Sequence, residues 1–409
     1  MRVLLSDGSG LTARQAAAQL ADAGHTVEVL SPDPLCLARF TRRVRRVRRV
    51  PRYGADPLRW LAAALEVFRA AGMDVLLPTQ EQVAVLSACH DLVRAAGVRT
   101  VVPSFGALAQ VQDKLSAFAT LTAAGLPQPL GAVLATPGEA AAWDRFPVFI
   151  KLPIGTAAAG VRRVDDRRQL AKAVADAEAA GAFGDGGVLA QSPVAGPLVM
   201  AQAVFADGAL VACHTNLRVR EGAGGGASHK RGIDLPPVRE HLRALGRHLG
   251  WHGALSADAI LAGEGPRYID INPRLVEPAN ALRSGVDLIS PMLELASGVT
   301  PQAQPPGRPG VRTHQLLLAV LGAAQRTGRR WPVIAELLAA AHRAGDYHGS
   351  AEELTPVRGD PPAAVPVAMA VAATVARPSA WQWFTGGSVA SYSLSPAGWR
   401  QLLARQPPA

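Results

Sequence analysis

Two alternating runs, Ser256-Ala-Asp-Ala-Ile-Leu-Ala262 and Arg267-Tyr-Ile-Asp-Ile-Asn272, flank the turn-like Gly263-Glu-Gly-Pro266 and together predict a β-hairpin folded about position 264. Side chains alternate faces along a strand, so this register sets Asp258 opposite Asp270 and puts Asn272 on the same face. Two carboxylates directly across a ladder repel. A hard cation between them turns repulsion into binding, because carboxylates and a side-chain carbonyl are oxygen ligands for Mg²⁺, and nucleotide phosphates complete its shell. The plain alternative is that the acidic side chains occupy the wet face of a hairpin whose Ile269 and Ile271 face the core.

The chain has 409 residues, 49% of them hydrophobic, enough for a large core and about two to four domains. The opening Met1-Arg-Val-Leu-Leu-Ser-Asp7 resembles a first strand rather than a signal peptide, and no charge-free run is long enough to span a bilayer, so a cytoplasmic protein without membrane contact is expected. Cys36, Cys89 and Cys213 are too widely spaced for a metal-binding pair or a disulfide framework. Much of the net charge of +10 comes from Thr41-Arg-Arg-Val-Arg-Arg-Val-Arg-Arg-Val50. That run lacks aromatic interleaving, so nucleic acid is not an expected partner; a solvated basic rim that steers anionic substrates fits better.

Residues 1–104 alternate strands (Arg2–Leu5, His25–Leu30, Asp74–Leu77, Arg99–Val102) with helices (Thr12–Ala23, Pro57–Ala71, Glu81–Ala96), which argues for a parallel sheet covered on both faces. Asp7-Gly-Ser-Gly10 after the first strand lacks the full dinucleotide fingerprint and reads better as a turn. Residues 105–187 form a compact α+β unit: a helix Ala107–Ala124, strands at Ala132–Leu134 and Val148–Lys151, and a helix Arg168–Ala180. From 188 to 301 the pattern turns to strands, with a loop expected over Glu221–Arg231, a helix Val238–Leu249 and the hairpin. Gln302–Arg308 reads as a linker. Beyond it lies an extension, 309–409, with helices at Thr313–Arg326, Trp331–Ala344 and Ser395–Ala404 around an apolar stretch Val365–Ala376.

Phe146-Pro-Val-Phe-Ile-Lys-Leu-Pro-Ile-Gly-Thr-Ala-Ala-Ala-Gly-Val161 carries the second chemical signal. A buried strand ends in Lys151, and a small-residue loop follows from Gly155 through Thr156 to Gly160, so an ammonium and accessible backbone N–H groups face a polyphosphate such as that of ATP. A loop kept small for packing is the alternative. It is not a Walker A loop, because the lysine precedes the glycines. Lys114, after Asp113 at a helix start, is either a second phosphate ligand or a surface residue; Arg274, two residues past Asn272, is either a clamp for a transferring phosphoryl group or a surface ion pair.

In this order, Asp113-Lys114, Lys151, the Gly155–Gly160 loop, Asp258 and Asp270-Ile-Asn-Pro-Arg274 resemble the ATP-grasp superfamily, especially its carbamoyl phosphate synthetase-like and carboxylate–amine ligase branches, over about residues 1–300. The resemblance implies an α/β protein with the ATP-grasp fold: a Rossmann-like preATP-grasp domain (1–104), a lid subdomain (105–187) and a catalytic subdomain (188–301) that clamp ATP, then the mixed extension. It implies ATP with Mg²⁺, or Mn²⁺ in its place, held by Asp258, Asp270 and Asn272; phosphate contacts from Lys114 and Lys151; and Arg274 on the transferred group. The implied reaction is phosphorylation of a small-molecule carboxylic acid, then attack by an amine on the acyl phosphate.

Gln191, Ser192 and Val194 lie where the family reads adenine, but Ser192 and Leu198 stand where glutamates are common, which keeps a catalytically degenerate ATP-binding partner or regulator as the alternative. Arg220, His229, Lys230 and Arg231, around the glycine-rich Gly222–Ala227, are candidate receivers of the acid substrate's carboxylate, the other outcome being a disordered surface loop. Glu277 is a candidate partner for the amine. The extension either shapes the substrate cavity or supports a homodimer.

Overall fold

The structure, a computed structural model, describes residues 1–156 and 159–405; Ala157 and Ala158 of the small-residue loop and the last four residues of the extension lie outside the described residues. The first sheet is parallel, with strands β1 (Arg2–Leu5), β2 (Thr26–Ser31), β3 (Val44–Arg49) and β4 (Val75–Leu77) in the order β3-β2-β1-β4. Its central strands are continuous apolar runs because both faces are covered, and Val3, Leu4, Leu5 and Val75 to Leu77 are fully buried. The Pro57–Ala71 helix forms as expected, capped by Asp56, opened by proline, and stopped at Gly72 in the left-handed region (φ 59°).

Two expectations for this region are corrected. The arginine run is not merely a solvated rim: Val44–Arg49 pairs with β2 as the sheet's edge strand, and Arg48 Nε reaches Glu28 at 2.6 Å. Arginines along an edge discourage pairing with another chain, so the repeat serves the sheet as well as the surface. Arg99–Val102 is not a strand; it touches the sheet through one bond, Leu76 N to Arg99 O at 2.9 Å.

Both long helices expected between 81 and 124 are broken. Glu81–Ala96 becomes Val83–Ala88 and His90–Ala95, and Ala107–Ala124 becomes Phe105–Gln112 and Lys114–Ala123. The second break is at Asp113, which is extended (φ −97°, ψ 153°) and accepts hydrogen bonds from Leu115 N and Ser116 N at 3.0 and 2.8 Å. A short carboxylate satisfies a helix's orphan amides better than it continues a helix, so it caps a new one and starts it at Lys114.

The second sheet is antiparallel: β5 (Gly131–Leu134), β6 (Val148–Lys151), β7 (Val161–Val164) and β8 (Val188–Gln191), ordered β5-β8-β6-β7, with the Arg167–Ala179 helix burying Leu170, Ala173, Val174 and Ala177. The third has the order β13-β12-β9-β10-β11-β14-β15, from β9 (Leu198–Ala206), β10 (Ala209–Glu221), β11 (Ala227–Ile233), β12 (Gly253–Ala262), β13 (Gly265–Asn272), β14 (Arg312–His314) and β15 (Ser350–Glu352). Here the expected loop over Glu221–Arg231 is corrected. β10 runs on to Glu221, Gly224 and Gly225 turn the chain with φ 65° and 81°, and β11 returns antiparallel. The glycines supply a left-handed hairpin turn rather than a disordered loop.

The C-terminal segment is built into this sheet. Thr313 lies in β14, and the helix expected from there starts instead at Leu316. The Gln302–Arg308 linker is pinned, since Gln304 N donates to Val211 O at 2.7 Å and Gln304 Oε1 accepts from Asp287 N at 2.9 Å. Among the described residues no helix is long and apolar enough to cross a membrane. Replacing the capping side chain in Asp113→Ala is expected to lower unfolding free energy by about 1 kcal/mol, read from urea denaturation; an unchanged midpoint would mean that the cap carries no weight.

Candidate nucleotide and metal site

The hairpin has the register that its alternation predicts. Asp258 pairs with Asp270 and Ser256 with Asn272, and a bulge between Asp258 and Ala259 shifts the pairing beyond, so that Ala259 meets Tyr268. Burial pushes the Asp258 carboxyl up to about 7, and Asp270 across the ladder adds to the rise, against a pull from Arg274 and Arg218. Among the described residues neither carboxylate has a salt bridge. The Asn-Pro-Arg segment turns back on itself: Arg274 N donates to Asn272 O at 2.7 Å, and Arg274 Nη2 lies 3.3 Å from Asn272 Oδ1. Arg274 likewise forms no ion pair among the described residues, so its fork is available to an anion.

These donors fit a divalent cation of the hard-oxygen kind. Among the described residues no group of three or more His, Cys, Asp or Glu is placed to hold a metal ion by itself. Two carboxylates and an amide oxygen, already repelling one another, are a set that Mg²⁺ takes when substrate oxygens supply the rest.

Lys151 ends β6 with its side chain buried, donating to Gln191 Oε1 and to Ile269 O, both at 2.7 Å. Burial holds its ammonium down to about 8; Asp270 and Asp258 raise it, and Lys114 lowers it. Lys151 and Lys114 thus repel across a space that a polyphosphate would neutralise. Lys114, at the first turn of its helix, donates from Nζ to Gly155 O at 2.9 Å. The loop needs glycine there, because a Cβ on Gly155 would sit 2.0 Å from Ala159 O, and Gly160 has φ 78°. Thr156 donates to Glu81 Oε1 at 2.5 Å, and Glu81 also accepts from Leu394 N at 2.6 Å. Lys114, Gly155, Thr156, Asp270, Asn272 and Arg274 line one cleft with Glu81, enclosing about 500 Å³ with its open mouth included.

The remaining sequence candidates lie elsewhere. Gln191 is buried at the end of β8, where its side chain holds Lys151; Ser192 N is spent on Leu130 O at 2.8 Å; Val194 is half-buried in the segment leading to β9. Arg220 pairs with Glu336 and lies near Tyr347, and His229 stacks on His314 with ring centroids 5.7 Å apart and meets Tyr347 edge-on at 4.6 Å. Burial pushes His229 down to about 3, with Arg220 adding to the fall, so it is neutral. Arg231 is exposed. Arg220, His229 and Arg231 are not among the residues that line the cleft, and the first two bind the C-terminal segment to the sheet.

Lys230 is buried and held by Glu277 at 2.5 Å and Glu353 at 2.7 Å. Burial opposes its charge, but the two carboxylates more than offset this and raise its pKa. Glu277 has a left-handed backbone (φ 43°), its N–H donates to Thr12 Oγ1 at 3.1 Å, and its carboxylate also meets Gln315. Sequence reasoning missed Glu81 and Glu353. Nothing local marks either, since Thr156 is 75 residues from Glu81 and Lys230 is 123 from Glu353.

The sequence matches no family model and no curated protein. Solved structures do match. The biotin carboxylase domain of 2-oxoglutarate carboxylase from Hydrogenobacter thermophilus, in complex with MgADP, ADP and bicarbonate, superposes with a TM-score of 0.61 at 17% identity over 76% of this chain and 73% of that one. N5-carboxyaminoimidazole synthetase from Staphylococcus aureus gives 0.56 at 13% identity over 77% and 82%, and the L-amino acid ligase from Bacillus licheniformis 0.55 at 16% over 72% and 74%. At such identities the likeness speaks for the fold alone. The chain has the ATP-grasp fold, an α/β architecture with an N-terminal parallel sheet and a large mixed sheet.

Proposed function

We propose that this protein is a Mg²⁺-ATP-dependent carboxylate–amine ligase that forms a C–N bond through an acyl phosphate and releases ADP and phosphate. The observation that carries the reading is one cleft lined by Asp270, Asn272, Arg274 and Lys114, with Asp258 paired across the ladder from Asp270 and Lys151 close enough to both carboxylates and to Lys114 to feel their charge. The similar proteins with MgADP bound or named as ligases support the class. We assign 1–104 as the preATP-grasp domain, 105–187 as the lid, 188–301 as the catalytic subdomain and 309–409 as an extension.

In this reading Asp258, Asp270 and Asn272 would hold the cation, whose contribution when bound is to neutralise phosphate charge and polarise the transferring group. Lys151 and Lys114 grip the polyphosphate, with Lys151 aimed by Gln191 and the Ile269 carbonyl. Arg274 stabilises the charge that spreads over the phosphoryl oxygens as they move to the acid. Gly155, Thr156 and Gly160 belong to a loop that closes over the phosphates and keeps water out, while the segment Gln191 to Val194 borders the adenine. Glu277, tied to Lys230, is a partner for the amine; Lys230 holds that carboxylate in place rather than receiving the acid itself. The chain uses no covalent enzyme intermediate, so rate comes from positioning and preorganised charge. The degenerate-partner reading is not favoured, because Lys114, Asp270, Asn272 and Arg274 share one cleft and Asp258 stands across the ladder from Asp270.

The deciding assay is ADP and phosphate release across a panel of carboxylic acids, each with and without a panel of amines. Acid- and amine-dependent release with a matching amide is expected, and ATP binding without release from any pair would sink the ligase reading. Asp270→Asn should cut turnover by about a hundredfold or more while leaving the melting temperature unchanged or higher, since it relieves a half-buried like-charge pair; retained turnover would remove the metal assignment. Arg274→Ala should slow transfer by about 10²- to 10³-fold with nucleotide affinity little changed, and equal loss of both would assign Arg274 to binding instead.

The Lys151 ammonium is nearly all charged at neutral pH and loses its proton as pH rises through about 8. Nucleotide affinity is accordingly expected to weaken from about pH 7 to about pH 9.5. The slope should vanish in Lys151→Arg, whose guanidinium does not titrate there. Calorimetric titration at several pH values checks this; a slope that survives the substitution would take Lys151 out of phosphate binding.

A further inference from the structure

Two helices of the C-terminal segment, Trp331–Ala341 and Ala364–Ala376, lie side by side against the Leu316–Thr327 helix. The start of the first meets the end of the second, where Arg330 Nη2 donates to Ala376 O at 3.3 Å, so the two run in opposite directions. Their inner faces are apolar for the usual reason: Val333, Leu337, Val371 and Val375 pack on Val320 and Ala324. Their outer faces are apolar too. Trp331, Ala335 and Leu338 are exposed at the spacing of one helix face, and so are Val365, Met369 and Ala372. Trp331 is 77% exposed, Leu338 55% and Met369 48%, far more than packed side chains of that size. Across both helices the one ionisable side chain is Glu336, which is buried and held by Arg220. Trp383 joins the same end of the pair, 63% exposed, with the Arg377 guanidinium 5.6 Å over its ring.

A surface helix turns charge outward, and one that is hydrophobic all round belongs against something. The charges around this face say what. Arg329, Arg330 and Arg377 flank one end, Arg343 follows the first helix at the other, and Arg358 precedes the second; all are exposed, and none has an ion pair among the described residues. From 325 to 383 no Asp or Glu is exposed among the described residues. A second copy turned about a two-fold axis sets arginine against arginine whichever way the pair is turned, because both ends carry only that charge. Protein partners are also fixed by about one hydrogen bond per 100–200 Å², and the outer side chains of the two helices offer none beyond the Trp331 indole. A lipid surface requires no such bonds. Apolar side chains enter the boundary between head groups and acyl chains, tryptophans settle at that level, and arginines meet the phosphates.

We propose that this two-helix face lies on an anionic lipid surface, with Leu338 and Met369 inserted, Trp331 and Trp383 at head-group level, and the flanking arginines on the lipid phosphates. The helices are about 20 Å long or less at 1.5 Å per residue, too short to cross and long enough to lie flat. The expectation of no membrane contact came from the lack of a spanning run and does not reach a face that lies in the surface. The inference concerns where the protein works and does not rest on the ligase reading.

The test sediments the full chain with vesicles of phosphatidylcholine alone and of phosphatidylcholine and phosphatidylserine in equal parts. Two double variants run alongside, Leu338→Gln with Met369→Gln and Arg330→Gln with Arg377→Gln. All four side chains are exposed, so melting temperatures should match the wild type. The mixed vesicles are expected to bind the wild type at least about tenfold more tightly than phosphatidylcholine, since each arginine near an anionic surface is worth about fivefold. The first variant should weaken that binding by about tenfold or more, and the second should remove most of the preference for phosphatidylserine. Absence of binding to either vesicle would overturn the proposal. Binding that both variants leave unchanged would also overturn it and point to the arginine strand β3 instead. A concentration-dependent dimer that Leu338→Gln with Met369→Gln breaks would give the face to a second copy, a third way to overturn it. The readout is sedimentation rather than turnover, so failure here leaves the ligase reading as it stands.

Discussion

Asp258 and Asp270 stand across one ladder because both strands alternate apolar and polar residues about a single short turn, and that fixed opposition sets the electrostatics of everything around it. Two like charges roughly 5 Å apart repel by about 3 kcal/mol at an effective dielectric near 20. The protein does not cancel this with a salt bridge. Lys151 lies close enough to feel both carboxylates but gives its hydrogen bonds to Gln191 and to the Ile269 carbonyl, and Arg274 folds back toward Asn272. The cations are near the anions without being consumed by them. That leaves charges of both signs close together and unpaired among the described residues, which suits a ligand bringing its own anion and cation together.

A second buried charge group decides how the C-terminal segment belongs to the rest. Lys230 on β11 is shared between Glu277, five residues past Asn272, and Glu353, one residue past β15. Gln15 and Gln315 bind the same Glu353 oxygen, and Gln315 also meets Glu277. One buried ammonium thereby joins β11, the segment after the hairpin, the first helix and the C-terminal segment. Removing a partner from such a group typically costs about 3–5 kcal/mol, because the charge left behind has no water to turn to. The stacked His229 and His314 with Tyr347, and the Arg220–Glu336 pair, close the same seam on the other side of β11. The C-terminal segment is thus continuous with the sheet that carries the Asp258–Asp270 ladder.

What local sequence encodes and what it does not divides along contact distance. The hairpin, the Pro57–Ala71 helix and the β6 lysine were readable because period, turn residues and caps are written within a few positions. The break at Asp113 was readable in principle, since an aspartate inside an apolar helix competes for the backbone, but the apolar run on both sides outweighed it. Glu221–Arg231 misled because glycine and charge mark both mobile loops and hairpin turns; what separates them is that β11 finds β10 on one side and β14 on the other, the latter more than 80 residues away. For Arg220 and His229 the residue types were suited to binding an anion, yet their partners Glu336, Tyr347 and His314 come from a segment that carries no chemical motif. A cation's role depends on which anion reaches it first, and that is a property of the fold.

β6 and the loop after it are joined to the hairpin and to the first sheet's side of the cleft by contacts of the same long-range kind. Lys151 on β6 binds the carbonyl of Ile269 on β13, and Thr156 in the following loop binds Glu81 near the first sheet. Glu81 in turn takes the amide of Leu394, so the loop after β6, the segment after the first sheet and the C-terminal segment meet at one carboxylate. On the proposed reading, a nucleotide's phosphate oxygens are alternative acceptors for the lysines now bonded to Ile269, Gln191 and Gly155. Filling the site therefore exchanges protein–protein bonds for protein–phosphate bonds of similar number. Both sets of bonds are charge-assisted on the lysine side, but an anionic oxygen adds a charge–charge attraction that the neutral carbonyl and amide acceptors lack, so the exchange favours the filled cleft.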